Sequence, residues 1–224
     1  MSSGARAKYD SPQRRAQAAR TRARIIEAAR QLFLEHGYNG TTVAMIAAAA
    51  GVAVETVYRS ATGKAGLLAD AVRAAVAGGA ERAEVAVTDR PAIRQIIHER
   101  DPVRQLQLYA ATPPGIWSRV GPLMRVLDAA ANGNPSLVEL RNHIASERRQ
   151  GLRQGLGRLL EQRGVLRPGV TGQIAGDIIY ALCGQANYEA LVTDCGWTEA
   201  EYRDWLAETL VSTLLSGRSP GEKS

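Results

Sequence analysis

A cluster of polar side chains within residues 55–60 has the chemistry needed to contact nucleic acid. Arg59 could pair with the O6 and N7 atoms of guanine, Glu55 could accept a hydrogen bond from cytosine N4, and Thr56 could contact a thymine methyl group or a phosphate. Glu55 is equally suited to the first turn of its own helix, because a carboxylate there interacts favourably with the helix dipole. Both interpretations require a short helix with one free face.

Residues 41–64 have the pattern of a helix, a tight turn and a second short helix, which would supply that free face. Gly51 tolerates the positive φ that ends the first helix, and Ala47 leaves room where two helix backbones cross closely. The spacing i, i+3, i+4 predicts that one face of the second helix turns inward, through Val54, Val57 and Tyr58. The outer face then carries Glu55, Thr56, Arg59 and Ser60, so the segment is predicted to be a DNA-binding helix-turn-helix.

Two further helices flank this segment. Residues Arg24–His36 repeat apolar side chains at helical spacing, and Gly37 is a typical C-terminal stop. Lys64 begins a third helix, whose apolar face is formed by Leu67, Leu68, Ala71 and Val72.

The residue types and spacings of this region follow a known pattern. It is carried by Thr21, Ile25, Ala28, Ala29, Leu32, Phe33, Gly37, Tyr38, Thr41, Thr42, Ile46, Ala47, Gly51, Val52, Thr56, Val57, Tyr58, Lys64 and Leu67. Over roughly its first third the chain therefore resembles the TetR family of bacterial transcriptional repressors. Two positions depart from the family pattern. Ala61 replaces a bulky aromatic residue, and Ala53 replaces a capping Ser or Thr, whose loss costs a helix about 0.5–2 kcal/mol.

The resemblance implies which side chains contact DNA. Thr42, Tyr58 and Lys64 match family positions that bind phosphates, although Tyr58 could instead be a core aromatic residue with its hydroxyl group satisfied. The full predicted set of DNA-contacting residues is Thr42, Val54, Glu55, Thr56, Tyr58, Arg59 and Lys64.

The rest of the chain predicts an all-α fold of nine or ten helices. Proline at Pro91 and Pro102 indicates helix starts, and Ser136 with Glu139 and Thr198 with Glu201 suggest capping boxes. Pro113, Pro114 and Gly115 are predicted to break a helix, and Pro122 to kink or divide the next one. Thr171 to about Val192 is predicted to be one long helix, and the last helix is expected to run to Leu215.

This pattern predicts four segments. They are a flexible basic arm (1–20), a helix-turn-helix domain (21–68), a helical ligand-binding and dimerisation domain (69–217) and a disordered tail (218–224). The last two long helices present apolar faces that would build a four-helix homodimer interface, as the resemblance implies. One face is formed by Ile174, Ile178, Ala181, Leu182, Gln185 and Leu191, and the other by Tyr202, Trp205, Leu206, Leu210, Leu214 and Leu215. The alternative is that both helices complete a monomeric core.

The resemblance also implies a small-molecule cavity among the middle helices. The predicted lining residues are Tyr109, Trp117, Met124, Leu127, His143, Tyr180, Cys183 and Asn187. Apolar residues at helical spacing more often belong to a plain core, and each of these positions has that alternative.

Charge and composition narrow the class of protein. The first 64 residues hold ten Lys and Arg against four Asp and Glu, which accounts for the whole net charge of +6, and a polyanion is the natural partner of such a domain. No apolar run approaches membrane-spanning length and Cys183 and Cys195 form no CxxC motif, so a cytoplasmic protein is expected. Cys183 is expected to be a small buried hydrophobe, with a redox sensor as the alternative.

The three histidines are scattered and no catalytic or nucleotide-binding motif occurs, so we expect neither an enzyme nor a cofactor or metal site.

Three hypotheses about function follow. The first is a homodimeric repressor that a small-molecule effector releases from a pseudo-palindromic operator. The second is a DNA-binding activator or non-specific binder of the same fold without a ligand. The third is a ligand-binding protein that no longer binds DNA, for which Ala53 and Ala61 are the only support.

Overall fold

The computed structural model describes residues 11–216, and within them the chain is helical with no β-strand. Leu166 and Leu215 form one isolated antiparallel bridge. Short 3₁₀ and π segments join some of the helices, at residues 87–89, 153–157 and 189–194. The α-helices are α1 (Ser11–Gly40), α2 (Val43–Ala50), α3 (Val54–Ser60), α4 (Gly63–Ala77), α5 (Ala80–Ala83), α6 (Pro91–His98), α7 (Pro102–Ala110), α8 (Pro113–Ala131), α9 (Pro135–Leu152), α10 (Arg158–Gln162), α11 (Gly172–Leu182), α12 (Gln185–Tyr188) and α13 (Glu199–Leu214). The predicted all-α fold is confirmed.

Several helix ends follow from local sequence signals. The Asp101 carboxylate accepts a hydrogen bond from the Val103 amide (2.9 Å), and Pro102 follows it as the first helical residue. Thr198 and Glu201 form the predicted capping box of α13. The predicted capping box at Ser136 is wrong, because α9 already begins at Pro135 and Ser136 lies inside its first turn. The helix break predicted at Pro113, Pro114 and Gly115 is present, since α7 ends at Ala110 and α8 begins at Pro113. Proline is tolerated in a first turn.

The first helix is longer than the sequence suggested. Residues 11–20 were expected to be part of a flexible arm, but α1 begins at Ser11, because Ala, Gln and Arg are good helix formers even without an apolar face. At its other end Gly37 takes a φ of 67°, which breaks the helical geometry where the sequence predicted a stop. Residues 1–10 of the predicted arm and the predicted tail 218–224 lie outside the described residues.

The long helix predicted from Thr171 to about Val192 is interrupted. The α11 helix ends at Leu182, the chain leaves helical geometry at Cys183 and Gly184, and α12 is followed by a π-helical segment, residues 189–194. A second π segment, residues 153–157, separates α9 from α10. These breaks raise the number of α-helices above the predicted nine or ten, and π segments often occur at functional sites.

The chain forms two compact units. The first contains the residues up to Glu84 together with Pro122–Leu140, and the second contains Val85–Gly121 and the residues from Arg141 onward. The predicted boundary between residues 68 and 69 falls inside the continuous helix α4. The units divide α8 at Pro122, so each unit contains half of this helix, and Pro122 does not interrupt it.

The second unit has its own apolar core, to which α13 contributes one face. Tyr202, Leu206, Leu210 and Leu214 recur every four residues and are fully buried within their own chain. These four residues were expected to face a partner subunit, and that expectation is wrong because they already complete the core of their own chain. On α11, Ile174 remains 42% exposed.

A close approach of two backbones fixes how α11 packs on residues 153–157. A Cβ atom placed on Gly157 would overlap the carbonyl oxygen of Gly172 and lie 2.9 Å from the amide nitrogen of Gly176. Arg153 and Asp177 form a bidentate ion pair beside this contact, at 2.6 and 2.7 Å. Only glycine at position 157 therefore permits this packing.

We expect Gly157→Ala to lower the free energy of unfolding by about 1–3 kcal/mol, because the added methyl group has no space. Gly155→Ala is the matched control, since a Cβ there meets nothing within 4 Å, and it should raise stability by about 0.5–1 kcal/mol. Urea unfolding followed by circular dichroism measures both changes. Equal stabilities for the two variants would contradict this packing.

Candidate nucleic-acid interface and effector site

The second and third helices form the predicted helix-turn-helix. The chain bends by 102° between α2 and α3, an angle typical of this motif. Gly51 has left-handed geometry (φ 63°, ψ 42°), and the Gly51 and Val52 amides donate to the carbonyls of Ala48 and Ala47. This is the glycine-dependent helix ending that the sequence predicted.

No single described helix is long and apolar enough to span a membrane.

The recognition helix α3 is anchored through one apolar side chain. Val57 is fully buried, whereas Val54 is 36% exposed and Tyr58 is 59% exposed. The prediction that Val54 and Tyr58 turn inward is wrong, because a seven-residue helix held at Val57 leaves the neighbouring positions at the surface. The core alternative for Tyr58 is thereby excluded, and both side chains lie where a phosphate or base could meet them.

Two of the three side chains predicted to read bases are exposed, and two of the three are joined by a hydrogen bond. Glu55 and Arg59 are exposed, and Arg59 Nη2 donates to Thr56 Oγ1 at 3.2 Å. Glu55 also lies in the first turn of a helix whose N-cap, Ala53, makes no side-chain hydrogen bond. The sequence predicted Ala53 at this N-cap position, and that position is confirmed.

One arginine that sequence reasoning missed holds the other end of α3. Arg22 Nη1 donates to the Ser60 carbonyl at 2.7 Å, and its Nη2 donates to Asp70 at 2.9 Å. Asp70 is buried and also pairs with Arg73. The sequence offered one signal for this role of Arg22. Asp70 interrupts the apolar run Leu67–Val72, and a buried carboxylate needs a cationic partner.

Thr42 caps α2 and still has a free donor. Its Oγ1 accepts a hydrogen bond from the Met45 amide at 3.2 Å, and its side chain is exposed. Since a hydroxyl group both accepts and donates, the Thr42 proton remains available for a phosphate oxygen. This geometry agrees with its predicted role.

Lys64 holds together the corner between α1 and α2. Its Nζ donates to the Tyr38 carbonyl at 2.9 Å and to the Thr41 carbonyl at 3.1 Å, and lies 4.2 Å from the centroid of the Tyr38 ring. Burial raises the pKa of the Tyr38 hydroxyl, so the ring beneath the ammonium group stays neutral. An ammonium group has three N–H donors, so one is left for a phosphate contact, which stays a prediction.

Four of the eight predicted effector residues are brought together at the break after α11. Trp117 Nε1 donates to the Cys183 carbonyl at 2.9 Å, and Asn187 Nδ2 donates to the carbonyls of Ala181 and Leu182 at 2.9 and 3.1 Å. The fourth, Tyr180, stacks its ring on the guanidinium group of Arg148, 4.8 Å from the ring centroid.

Tyr109 lies near the same break. Burial raises the pKa of its hydroxyl group, with smaller electrostatic contributions from Cys183 and Arg148. Burial also raises the pKa of the Cys183 thiol to about 12, so this thiol stays protonated at neutral pH and is not a reactive redox sensor.

The other predicted effector residues lie elsewhere. Met124 and Leu127 belong to the first unit, where Leu127 is fully buried. His143 is a 67% exposed residue on the surface of α9, 3.2 Å from Glu147. Helical spacing alone did not indicate which unit or which helix face each of these three residues would occupy.

Each unit of the described chain has a groove in which no predicted effector residue lies. A groove of about 410 Å³ in the second unit is lined by Ser146, Arg149, Gln150, Arg153, Gln154, Arg158, Glu161, Gly172 and Gln173. A groove of about 480 Å³ in the first unit is lined by Leu34, His36, Gly37, Tyr38, Asn39, Pro122, Arg125, Val126, Ala129 and Ala130. Within residues 11–216, no group of three His, Cys, Asp or Glu side chains could hold a metal ion.

An all-α chain with a glycine-ended helix-turn-helix near its start has the architecture of a helix-turn-helix DNA-binding protein. Residues 25–71 match the family described as bacterial regulatory proteins, tetR family. The helix-turn-helix region therefore matches the TetR family, as its sequence predicted, and this is a family of transcriptional regulators rather than enzymes. No curated protein matches the chain.

Solved structures share this fold. NalD of Pseudomonas aeruginosa, the secondary repressor of the MexAB-OprM multidrug efflux pump, is 22% identical, with 88% of this chain and 98% of NalD covered at a TM-score of 0.63. FadR of Bacillus subtilis in complex with stearoyl-CoA is 21% identical, with 84% and 97% covered at a TM-score of 0.63. SmeT in complex with triclosan is 22% identical, with 91% and 96% covered at a TM-score of 0.64.

We expect Lys64→Met to lower the free energy of unfolding by about 1–3 kcal/mol, because it leaves the Tyr38 and Thr41 carbonyls without their donor. Urea unfolding followed by circular dichroism measures the change, and Arg20→Met, at an exposed position of α1, is the control. If Lys64→Met unfolds at the same urea concentration as the unmodified protein, the ammonium group has no structural role.

Proposed function

We propose that this protein is a ligand-responsive transcriptional repressor. In this proposal it binds a pseudo-palindromic operator as a homodimer, and a small-molecule effector releases it. Its place of action is the cytoplasm, where bacterial DNA lies.

The observation that carries the proposal is the exposed face of α3. Glu55, Tyr58 and Arg59 are exposed on a helix that Val57 and Arg22 hold in place. A helix held in this way can enter the major groove as one rigid element, with its polar face toward the base edges. The net positive charge of the chain lies within the first 64 residues, which favours association with the phosphate backbone.

Support for an effector comes from proteins of the same fold and from the second unit. FadR and SmeT were solved with stearoyl-CoA and triclosan, so this fold accommodates small molecules in those proteins. In the present chain, Trp117, Tyr180, Cys183 and Asn187 meet at a helix break, with Tyr109 nearby. Breaks of this kind expose polar main-chain groups that a ligand can use.

The proposed homodimer follows from the symmetry of a palindromic site. Two recognition helices related by a twofold axis match two half-sites about 34–36 Å apart. Because Tyr202 and Leu206 are used in the core, the surface left to a partner consists of the remaining positions of α11 and α13. Its apolar side chains include Ile174, which is exposed, and Ile178, Leu182, Trp205 and Val211, which are partly buried.

Helix α8 offers a route from effector to DNA. Trp117 lies in the half of α8 that belongs to the second unit, and the half from Pro122 onward belongs to the first unit. An effector that favours one arrangement of α8 would favour a dimer whose recognition helices no longer match adjacent major grooves. The affinity for the operator then falls.

The experiment that tests the proposal is enrichment of binding sequences from random duplex DNA with the full-length protein. We expect a pseudo-palindromic winner with half-sites one helical turn apart, bound far more tightly than random DNA and released by a member of a small-molecule library. A palindrome that no molecule releases would instead indicate a ligand-independent regulator. No enriched sequence would refute the proposal and favour a ligand-binding protein that no longer binds DNA.

We expect Arg59→Ala to weaken binding mainly at one base pair of each half-site, by about 1–3 kcal/mol, because Arg59 would be the guanine-reading side chain. Binding to duplexes substituted at each position measures this. Arg94→Ala, which removes an exposed arginine outside the helix-turn-helix, should leave the sequence preference unchanged. An Arg59→Ala protein with the same preference as the unmodified protein would contradict the base-reading role.

A further inference from the structure

Arg148 occupies an unusual position beside the break after α11. Its side chain is partly buried, and its guanidinium carbon lies 5.4 Å from the ring centroid of Trp117 and 4.8 Å from that of Tyr180. Its Nη1 donates to the Tyr180 carbonyl at 3.2 Å, and its Nη2 donates to the Cys183 carbonyl at 2.7 Å. A flat cation is therefore held between two aromatic rings by neutral main-chain oxygens.

This cation has no counter-charge in the described part of the chain. Within residues 11–216 no carboxylate forms an ion pair with Arg148, whereas Arg153, on the following turn, has a bidentate partner in Asp177. Two of the five N–H groups of the Arg148 guanidinium have acceptors in this region, which leaves three free to donate. A partly buried charge that lacks an opposite charge favours the binding of an anion.

Two phenol groups lie near the same cation. Tyr202 is fully buried, and among the described residues its hydroxyl group has no hydrogen-bond partner. Tyr202 and Cys183 belong to one apolar core cluster, and Tyr109 packs against it. A buried hydroxyl group without a partner is costly, and a ligand oxygen would remove that cost.

We propose that Arg148 is the anchor of the effector, and that the effector is an organic carboxylate with a flat apolar body. The carboxylate pairs with the guanidinium group through two parallel hydrogen bonds, and the body lies against the rings of Trp117 and Tyr180. The Tyr202 hydroxyl group donates to the ligand. This inference rests on the proposed function, since it names the effector class of that regulator.

The charge of the site selects a carboxylate over a phosphate. One guanidinium group neutralises one negative charge, and the described cluster of Tyr109, Trp117, Arg148, Tyr180 and Tyr202 holds no second cation. A phosphate monoester carries more than one charge near neutral pH and would leave part of it uncompensated. Arg148 is also partly exposed, so a ligand can reach it from solvent.

A ligand bound to Arg148 would change the hydrogen bonds at the break between α11 and α12. The guanidinium group that would pair with the carboxylate also donates to the carbonyls of Tyr180 and Cys183. A shift of this side chain toward the ligand weakens those two hydrogen bonds, and the chain between α11 and α12 can then rearrange. Trp117 Nε1 donates to the same Cys183 carbonyl, so the change reaches α8. The effector therefore couples to the helix whose two halves belong to different units.

The test measures binding of four carboxylates, each against its neutral amide, to the full-length protein by isothermal titration calorimetry. The probes are benzoate, 2-naphthoate, 4-biphenylcarboxylate and dodecanoate. We expect at least one flat aromatic acid to bind, with its amide about tenfold weaker or more, because the amide has no charge to pair with Arg148. Acid and amide of equal affinity, or no acid bound at about 1 mM, would overturn the proposal.

Variants at two adjacent arginines identify the anchor. Arg148→Met should reduce the affinity for the acid about tenfold or more without changing that for the amide, and Arg148→Lys should retain part of the preference for the acid. Arg149→Met is the matched control, because Arg149 is an exposed neighbour that lines a separate groove. If Arg148→Met fails to fold, the affinities of Arg148→Lys for the acid and for its amide test the assignment instead. If Arg149→Met loses the preference for the acid and the Arg148 variants keep it, Arg148 is not the anchor.

Operator binding is also measured in the absence of any acid, so that a failure of this inference can be told from a failure of the proposed function. An enriched operator with no Arg148-dependent binding of acids overturns only the effector class. Acid binding that depends on Arg148, without any enriched operator, supports the site and overturns the DNA-binding role.

Discussion

The structure depends on which donors form hydrogen bonds with the unpaired carbonyl groups at helix ends. The last four carbonyls of an α-helix have no amide partner within the helix, and a chain with many short helices has many such groups. Here long cationic side chains supply the missing donors. Arg22 donates at the end of α3, Lys64 at the corner between α1 and α2, Arg148 at the end of α11, and Arg163 to the carbonyls of Ile97 and Glu99 after α6. Each contact fixes where one helix ends relative to another within the same unit.

This constraint changes the meaning of an arginine-rich composition. Excess positive charge in the first 64 residues fits a DNA-binding domain, yet Arg22 and Lys64 in that domain direct their charges at main-chain oxygens and, for Arg22, at a buried carboxylate. Part of the basic character is therefore structural. The side chains left for the proposed DNA contacts are fewer than the net charge suggests, and Arg59 is the clearest of them.

Features encoded by neighbouring residues were predictable from the sequence. Gly51, Asp101 and the pair Thr198 and Glu201 act within a few positions of themselves, so their residue types alone predict the helix ends that the structure has. The break at Cys183 and Gly184 was missed, because its carbonyls are satisfied by Trp117 and Arg148 from 66 and 35 positions away. Helical periodicity places a residue on a face of a helix but does not identify its partner. For this reason the sequence predicts His143, and not Arg148, as a lining residue of the effector site.

The contact between Arg59 and Thr56 has a consequence for recognition. A long arginine side chain normally loses much rotational freedom when it meets a base, and that loss weakens binding. In this protein Arg59 already rests on the Thr56 hydroxyl group before DNA is present. Part of its conformational entropy is therefore lost during folding rather than during association, so in the proposed complex the side chain would enter the groove preorganised.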